Sequence, residues 1–564
     1  MVSTAQYQRP FISMAALIIS LTPPSLAFGN SFSGILSRNI IIATTSTSNS
    51  SPSQPYVSSS LRSSSHPFTS SSSHRALSIH RGGDSQHRSF GIYASSSPSS
   101  STTSNNNARP SSIPLPKAFS NEQRNEDVIT ALQSVFASCR VTRHVQPTTT
   151  KSKSINIDIV SKQDASPVTI GDFASQALAL QILHDRFPND VFIAEEGSEA
   201  LRNDESLWNK VWGAVNNVSD DDDLDSKERL LSAIDYGQGV KDDEHSTSST
   251  TTIQQSTTTT NMSKKRRVWC LDPIDGTKGF LRGRVEGGQY CIALALIEDG
   301  EPVLSVLGCP NLPLPSTPAT ATTPYGLWSD EEIHESEEQQ YPSPSTFSAT
   351  RGCMFVAVRG CGCYEIPLHV IEKMLKRNIT GNDDDESLSS SSWTQLQVTP
   401  NDGTSSSKPI SQAKFCLGVE RGFSDPNGTI LKIAQLIHGA DALTPATDDG
   451  DDNNSGVQDI KNSLRMDGQG KYGLLSRGDA EVFLRLPKKG YVDWVWDVAP
   501  GYLILKEAGG TMTDVRGRPI DFSEIGGEGR RVAKLPDYVE GILGSCGGVF
   551  HDALVEAHAK VKEE

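Results

Sequence analysis

Trp269-Cys270-Leu271-Asp272-Pro273-Ile274-Asp275-Gly276-Thr277 is an apolar run that stops in two carboxylates three residues apart and then turns on a Gly-Thr pair. The apolar part, 268–271, is predicted as a strand. Pro273 fixes its own φ and brings no N–H, so it stiffens the turn on which both acids ride. Asp272 and Asp275 can then share one hard cation, with the Ile274 carbonyl as a further oxygen ligand. Gly276 and Thr277 lead into a predicted helix start, where exposed backbone N–H groups suit a phosphate. Strings of the type Asp-Pro-x-Asp-Gly also form plain acidic β-turns, so this segment alone leaves both readings open.

Three further acidic stations bear on the choice. Phe192-Ile193-Ala194-Glu195-Glu196 ends a second predicted strand in two acids, Asp172 stands at the mouth of a helix predicted over 172–187, and Asp497 stands before one predicted over 499–508. Asp is a routine N-cap worth ~1 kcal/mol, so Asp172 or Asp497 taken singly reads as a cap. Four stations beside strand ends and helix starts point instead to one shared cation site. A helix is predicted over 125–145, with acids early and bases late as its dipole favours. Strands are predicted over 191–194, 290–297, 354–359, 415–419 and 482–486. Strands and helices mixed on this scale imply a layered α/β or α+β architecture.

Low-complexity polar inserts interrupt this body at about 239–263, 313–350, 382–392, 402–412 and 447–455. They are too poor in apolar residues to offset their ordering entropy and are expected as mobile surface loops. Only 36% of the 564 residues are hydrophobic, which fits a chain with much tail and loop. Residues 11–22 form an apolar run too short to span a bilayer, matching a signal-peptide core. Up to Arg109 the chain has seven Arg, no Lys and a single acid, Asp84. We therefore expect a signal peptide over 1–28, a disordered transit-like leader over 29–112, and a folded domain over 113–560. Such a two-part leader resembles those of plastids bounded by extra membranes; a mitochondrial or secretory leader is the alternative.

Beyond Arg109 there are 44 basic and 66 acidic residues. That balance argues against nucleic acid or stable membrane association, both of which need a basic face, and suits a protein that gathers divalent cations. The nine Cys are scattered and odd in number, which excludes a disulfide scaffold and a zinc site of paired spacing. Cys361 and Cys363 are expected as two free thiols, with a redox pair as the alternative. The basic tract Lys264-Lys265-Arg266-Arg267 is expected as a solvated loop end, and 219–225 as a solvated acidic loop.

Taken together, Glu195-Glu196, Asp272-Pro273-Ile274-Asp275-Gly276-Thr277 and Trp496-Asp497 resemble the magnesium-dependent, lithium-sensitive phosphatases of the inositol monophosphatase superfamily. Within it, 166–172, the extension Lys278-Gly279-Phe280-Leu281-Arg282, and 471–487 resemble the 3′(2′),5′-bisphosphate nucleotidases. The resemblance covers about 115–555, with gaps at the inserts. It implies a five-layer αβαβα sandwich and hydrolysis of adenosine 3′,5′-bisphosphate to AMP and phosphate, with the sulfated nucleotide as a further substrate; the chain is expected to be a monomer. Glu195, Asp272, the Ile274 carbonyl, Asp275 and Asp497 would hold two or three Mg²⁺ ions, and Asp172 and Thr277 would orient and deprotonate the attacking water. Gly276, Thr277, Phe423, Ser424, Gly468, Lys471 and Arg485 would meet the substrate, although Lys471 and Arg485 also read as solvated bases on a strand edge. Three places depart from the family pattern: Phe423 replaces a nucleotide-contacting His, Gly468 replaces a Ser, and Asp493-Trp494-Val495-Trp496 stands where Glu-Lys-Ile-Trp is common. The lost His and Ser leave an inositol mono- or polyphosphate phosphatase as the nearest alternative, and a non-catalytic phosphoadenosine-binding or redox-signalling protein as the next.

Overall fold

The computed structural model describes residues 113–119, 122–147, 160–161, 167–218, 226–239, 266–315, 347–380, 392–401, 408–419, 428–444, 459–525 and 533–563. The expected leader over 1–112 and the greater part of every insert lie outside the described residues. Ordered chain trims two inserts: Pro313 is the last residue of a strand, Phe347 is buried, and 410–412 is a turn of 3₁₀ helix.

In chain order, α1 (Glu122–Val145) precedes a ribbon of β1 (Val160–Ser161) and β2 (Pro167–Val168), then α2 (Ile170–Arg186) and β3 (Val191–Ala194). Three short helices follow, α3 (Glu199–Asn203), α4 (Glu205–Asn216) and α5 (Lys227–Asp235). Next come β4 (Arg267–Asp275), α6 (Thr277–Arg282), β5 (Cys291–Glu298), β6 (Glu301–Pro313), β7 (Arg351–Val358), β8 (Gly362–Pro367), α7 (Leu368–Thr380) and β9 (Thr394–Leu396). The last part holds β10 (Phe415–Leu417), α8 (Thr429–His438), β11 (Leu464–Arg465), α9 (Gly470–Arg477), β12 (Val482–Arg485), α10 (Ala499–Glu507), β13 (Thr511–Asp514), β14 (Ile542–Ser545) and α11 (Gly548–Glu563).

Strands β3 to β9 form a seven-stranded sheet in sequence order, and the other sheet runs β11-β10-β12-β14-β13. In the first, β3 and β4 are parallel and the rest antiparallel. Helices α1 and α2 cover one face of it, α9 and α10 lie between the sheets, and α8 and α11 pack together beyond the second. The described residues thus make the five αβαβα layers expected. Alternation in β4 explains how one strand serves two cores: Val268 and Cys270 join the inter-sheet core, while Trp269 and Leu271 join the core under α1 and α2. The β5 segment CIALALIE is buried along its whole length, because helices cover both faces of the sheet. Among the described residues, no helix is long and apolar enough to cross a membrane.

Two expectations need correction. Arg266 and Arg267 are not a solvated loop end. The Arg267 guanidinium is ion-paired with Asp127 (2.7 Å), Asp190 (2.9 Å) and Glu298 (2.8 Å), and Arg266 donates to the Ser523 carbonyl at 3.1 Å. Opposite charges from α1, β5 and the turn before β3 meet at the head of β4, and they could not be paired from local sequence. Lys471 lies in α9 rather than on a strand edge, because the Gly-containing segment GKYGLLSR packs its leucines between the sheets.

Candidate active site

The two carboxylates of the Asp-Pro-Ile-Asp turn face the same way because β4 is bulged there. Asp272 pairs with Ala293 and Asp275 with Cys291, so three steps on β4 oppose two on β5. In a regular strand, residues three apart point to opposite faces, and one extra residue reverses that. Ile274 accordingly joins the core under α1 and α2, whereas Cys291, beside Asp275, lies in the inter-sheet core. Pro273 sits in the bulge, where its absent N–H leaves no ladder bond unmade. The Asp272 carboxylate closes the turn by accepting the Ile274 N–H at 3.0 Å, and the Thr277 hydroxyl donates to the Ile274 carbonyl at 3.2 Å.

Asp497 reaches the same place from the other sheet's side. It ends a 3₁₀ turn, Val495–Asp497, and α10 begins beyond it at Ala499, with Val498 at the cap position and no side-chain cap bond, so the carboxylate is not spent on capping. Ligand atoms of Asp272, Asp275 and Asp497 all lie within 4.8 Å of one another. Glu195, at the end of β3, is outside this trio but acts on it electrostatically. Burial, then repulsion from Glu195, Asp275 and Asp497, pushes the Asp272 carboxyl well above the usual carboxylate range. Burial likewise raises Asp497, Arg485 pulls it back, and Asp275, Asp493 and Glu195 repel it, leaving it pushed up to about 8. An all-oxygen donor set with repulsion left unbalanced fits a hard divalent cation.

The remaining expected residues are placed as follows. Asp172 is not the cap of α2 but the third helical residue of a capping box. Its Oδ2 accepts from the Thr169 N–H and hydroxyl, both at 2.7 Å. Gly276 begins α6 with φ of +96°, and a Cβ there would lie 3.0 Å from the Gly468 nitrogen. The loop carrying Gly468 therefore rests backbone against backbone on the Asp275 turn. Lys471 Nζ donates to the Gly468 carbonyl at 2.6 Å. Arg485 pairs with the wholly buried Asp493 at 2.6 Å and donates to Asp497 at 3.1 Å. Arg477 is paired with Glu365 at 2.5 Å. Phe423 and Ser424 lie outside the described residues.

Several participants were missed from sequence. Gln469 donates to the Trp496 carbonyl at 2.8 Å and accepts the Gly501 N–H at 3.0 Å, tying the Gly468 loop to the Asp497 segment. Trp494 and Trp496 stack at 4.9 Å with planes 6° apart, and the Lys534 ammonium lies 4.6 Å from the Trp494 ring centre. Thr169 could have been found, since Thr-x-x-Asp before an apolar run is a capping-box pattern. Asp493 and Gln469 carry no such signal. All nine cysteines are free thiols, Cys361 and Cys363 included.

Known proteins with similar sequences place this site in a lineage. The model of the inositol monophosphatase family matches residues 125–538. The 3′(2′),5′-bisphosphate nucleotidase of Emericella nidulans is 35% identical over 375 residues, 65% of this chain and 82% of that protein. Proteins of the same name from Schizosaccharomyces pombe and Oryza sativa are each 32% identical over 71% of this chain and 86% of their own length. With the family model spanning the acidic trio and most of both sheets, the chain belongs to the inositol monophosphatase family.

Proposed function

We propose that the chain is a Mg²⁺-dependent phosphomonoester hydrolase that removes the 3′-phosphate of adenosine 3′,5′-bisphosphate, giving AMP and phosphate, and that also accepts the sulfated nucleotide. The carrying observation is the convergence of Asp272, Asp275 and Asp497 within 4.8 Å. The names of the Emericella, Schizosaccharomyces and Oryza relatives support the nucleotide as substrate. Glu195, Asp272, the Ile274 carbonyl, Asp275 and Asp497 would hold two or three ions. Bound magnesium supplies charge neutralisation and Lewis acidity for phosphoryl transfer. Asp172, oriented by Thr169, takes a proton from the attacking water. The Thr277 hydroxyl donates its hydrogen bond to the Ile274 carbonyl, which leaves its oxygen free to accept one from that water. The water oxygen bonds to phosphorus, the ester bond to the ribose oxygen breaks, and a solvent water protonates that oxygen, its hydroxide taking up the proton held by Asp172. Arg485, braced by Asp493, steadies Asp497.

Lithium sensitivity, a monomeric state and delivery to a plastid by residues 1–112 belong to the same reading. The plastid assignment is supported by the two-part composition of those residues and is tested by imaging a fluorescent fusion. The activity is tested by phosphate release from the full chain in Mg²⁺, with and without Li⁺. Adenosine 3′,5′-bisphosphate, inositol 1-phosphate, inositol 1,4-bisphosphate and fructose 1,6-bisphosphate are compared. Preference for the nucleotide upholds the reading. Preference for an inositol phosphate keeps the machinery but refutes the substrate, and no release from any refutes the activity.

A further inference from the structure

We propose that Gln176, with Ser175 beside it, is a positioning residue that fastens both acidic loops to the helix turn carrying Asp172. The inference rests on the metal-dependent reading above. Asp172, Ser175 and Gln176 are related by three and four residues in α2, so they share one helix face. Gln176 is fully buried, and its amide is completely engaged. Its Oε1 accepts the Glu196 N–H at 3.0 Å, and its Nε2 donates to the Glu196 carbonyl at 2.7 Å and to the Ile234 carbonyl at 2.9 Å. The Ser175 hydroxyl donates to the Pro273 carbonyl at 2.9 Å, inside the bulge between Asp272 and Asp275.

Glu195 is thereby held from both sides. The Ala194 N–H donates to the Gly237 carbonyl at 2.8 Å, and both backbone groups of Glu196 are gripped by Gln176, with Gln238 adding a bond to the same carbonyl at 2.6 Å. The backbone on each side of Glu195 is fixed, so the carboxylate's reach toward the trio is set by α2. One turn of helix thus sets three distances together: Asp172 to the bulge, the bulge to Glu195, and Glu195 to Asp172. Groups that orient metal ligands in this way typically change metal affinity by roughly 10–100-fold when removed.

The test is equilibrium binding of Mn²⁺ to the full chain by electron paramagnetic resonance, alongside the Mg²⁺ dependence of phosphate release. Gln176→Leu should weaken Mn²⁺ binding by at least about tenfold. It should raise the half-saturating Mg²⁺ concentration similarly and leave the nucleotide KM at saturating Mg²⁺ within about twofold. Gln176→Glu, which keeps the acceptor but sets a carboxylate against two carbonyls, should show the same shift. Ser175→Ala should show a smaller shift in the same direction. Gln181→Leu, on the same helix but bonded only within it to Asp185, is the control and should match wild type. Wild-type Mn²⁺ affinity in Gln176→Leu overturns the proposal. If that variant does not fold, unchanged affinity in Ser175→Ala overturns it instead. Asp272→Asn separates the two levels: if it too binds Mn²⁺ like wild type, the metal-site reading itself has failed.

Discussion

Gly468 stands where the resemblance leads one to expect serine, and the structure gives a reason for the smaller residue that can be tested by Gly468→Ala. Its φ is +68°, and an added Cβ would lie 2.4 Å from the carbonyl oxygen of Asp275. The left-handed backbone alone costs a residue with a side chain roughly 1–2 kcal/mol. Regaining an ordinary contact distance needs about 1 Å of movement between the Gly468 loop and the Asp275 turn. The turn carries two of the three clustered carboxylates, so the movement is felt where the chemistry occurs. Misplacement by about 1 Å can cost on the order of 10²-fold in rate. We expect urea unfolding of the metal-free variant to show about 1–2 kcal/mol less stability. Phosphate release should fall on the order of 10²-fold in kcat/KM. Gly468→Ser should behave no better, since its Cβ meets the same oxygen. A Gly468→Ala protein with the wild-type urea midpoint and the wild-type rate would refute the argument, because neither the backbone angle nor the contact would then matter.

Other outcomes follow from the same geometry. Asp272→Asn replaces a buried carboxyl whose ionised form is opposed by burial and by its acidic neighbours, so the metal-free protein should melt higher than wild type while phosphate release and Mg²⁺-induced stabilisation are both lost. Asp497 has a folded pKa of about 8, above its unfolded value of 3.8. Between these values the folded state binds more protons, so its contribution to metal-free stability is present at low pH and lost as pH rises through about 8. The stability of wild type relative to Asp497→Asn, measured by urea titration in EDTA, should therefore fall from pH 5 to pH 8. A flat difference would refute the shift. Arg477→Met strands the Glu365 carboxylate in a site where both partners are under a tenth exposed. It should cost about 3–5 kcal/mol, read by urea denaturation, and Glu365→Leu in the same chain should recover part of that loss.

Strands β3, β4, β5, β7, β10 and β12 and the paired acids of one turn were legible because their signals are local: β5 is a continuous apolar run, and Asp272 and Asp275 sit together, whereas β6 (Glu301–Pro313), the longest strand, was not read. Helices α9 and α11 were not read. GKYGLLSR carries two glycines, and GVFHDALVEAHAKVKE shows its apolar stripe only once α8 is known to lie against it. The same limit applies inside the site. Asp172 read from sequence either as a helix cap or as an acid of the shared site, and its bonds back to the Thr169 N–H and hydroxyl were not read. The bulge that turns Asp275 to the side of Asp272 exists only through pairing with β5. Nothing local announces that Arg485, expected as a substrate contact, is also paired with Asp493 across a loop. Long-range pairing between charges leaves no periodicity to read.

The stacked indoles of Trp494 and Trp496 give the molecule an optical gauge of its own site. Parallel rings 4.9 Å apart couple their electronic transitions, and Trp496 is joined by a single peptide bond to Asp497. Any cation that draws Asp497 toward Asp272 pulls on that bond and tilts one chromophore against the other. Near-ultraviolet circular dichroism and intrinsic fluorescence should therefore record occupancy of the acidic cluster in the unlabelled protein, before any substrate is added.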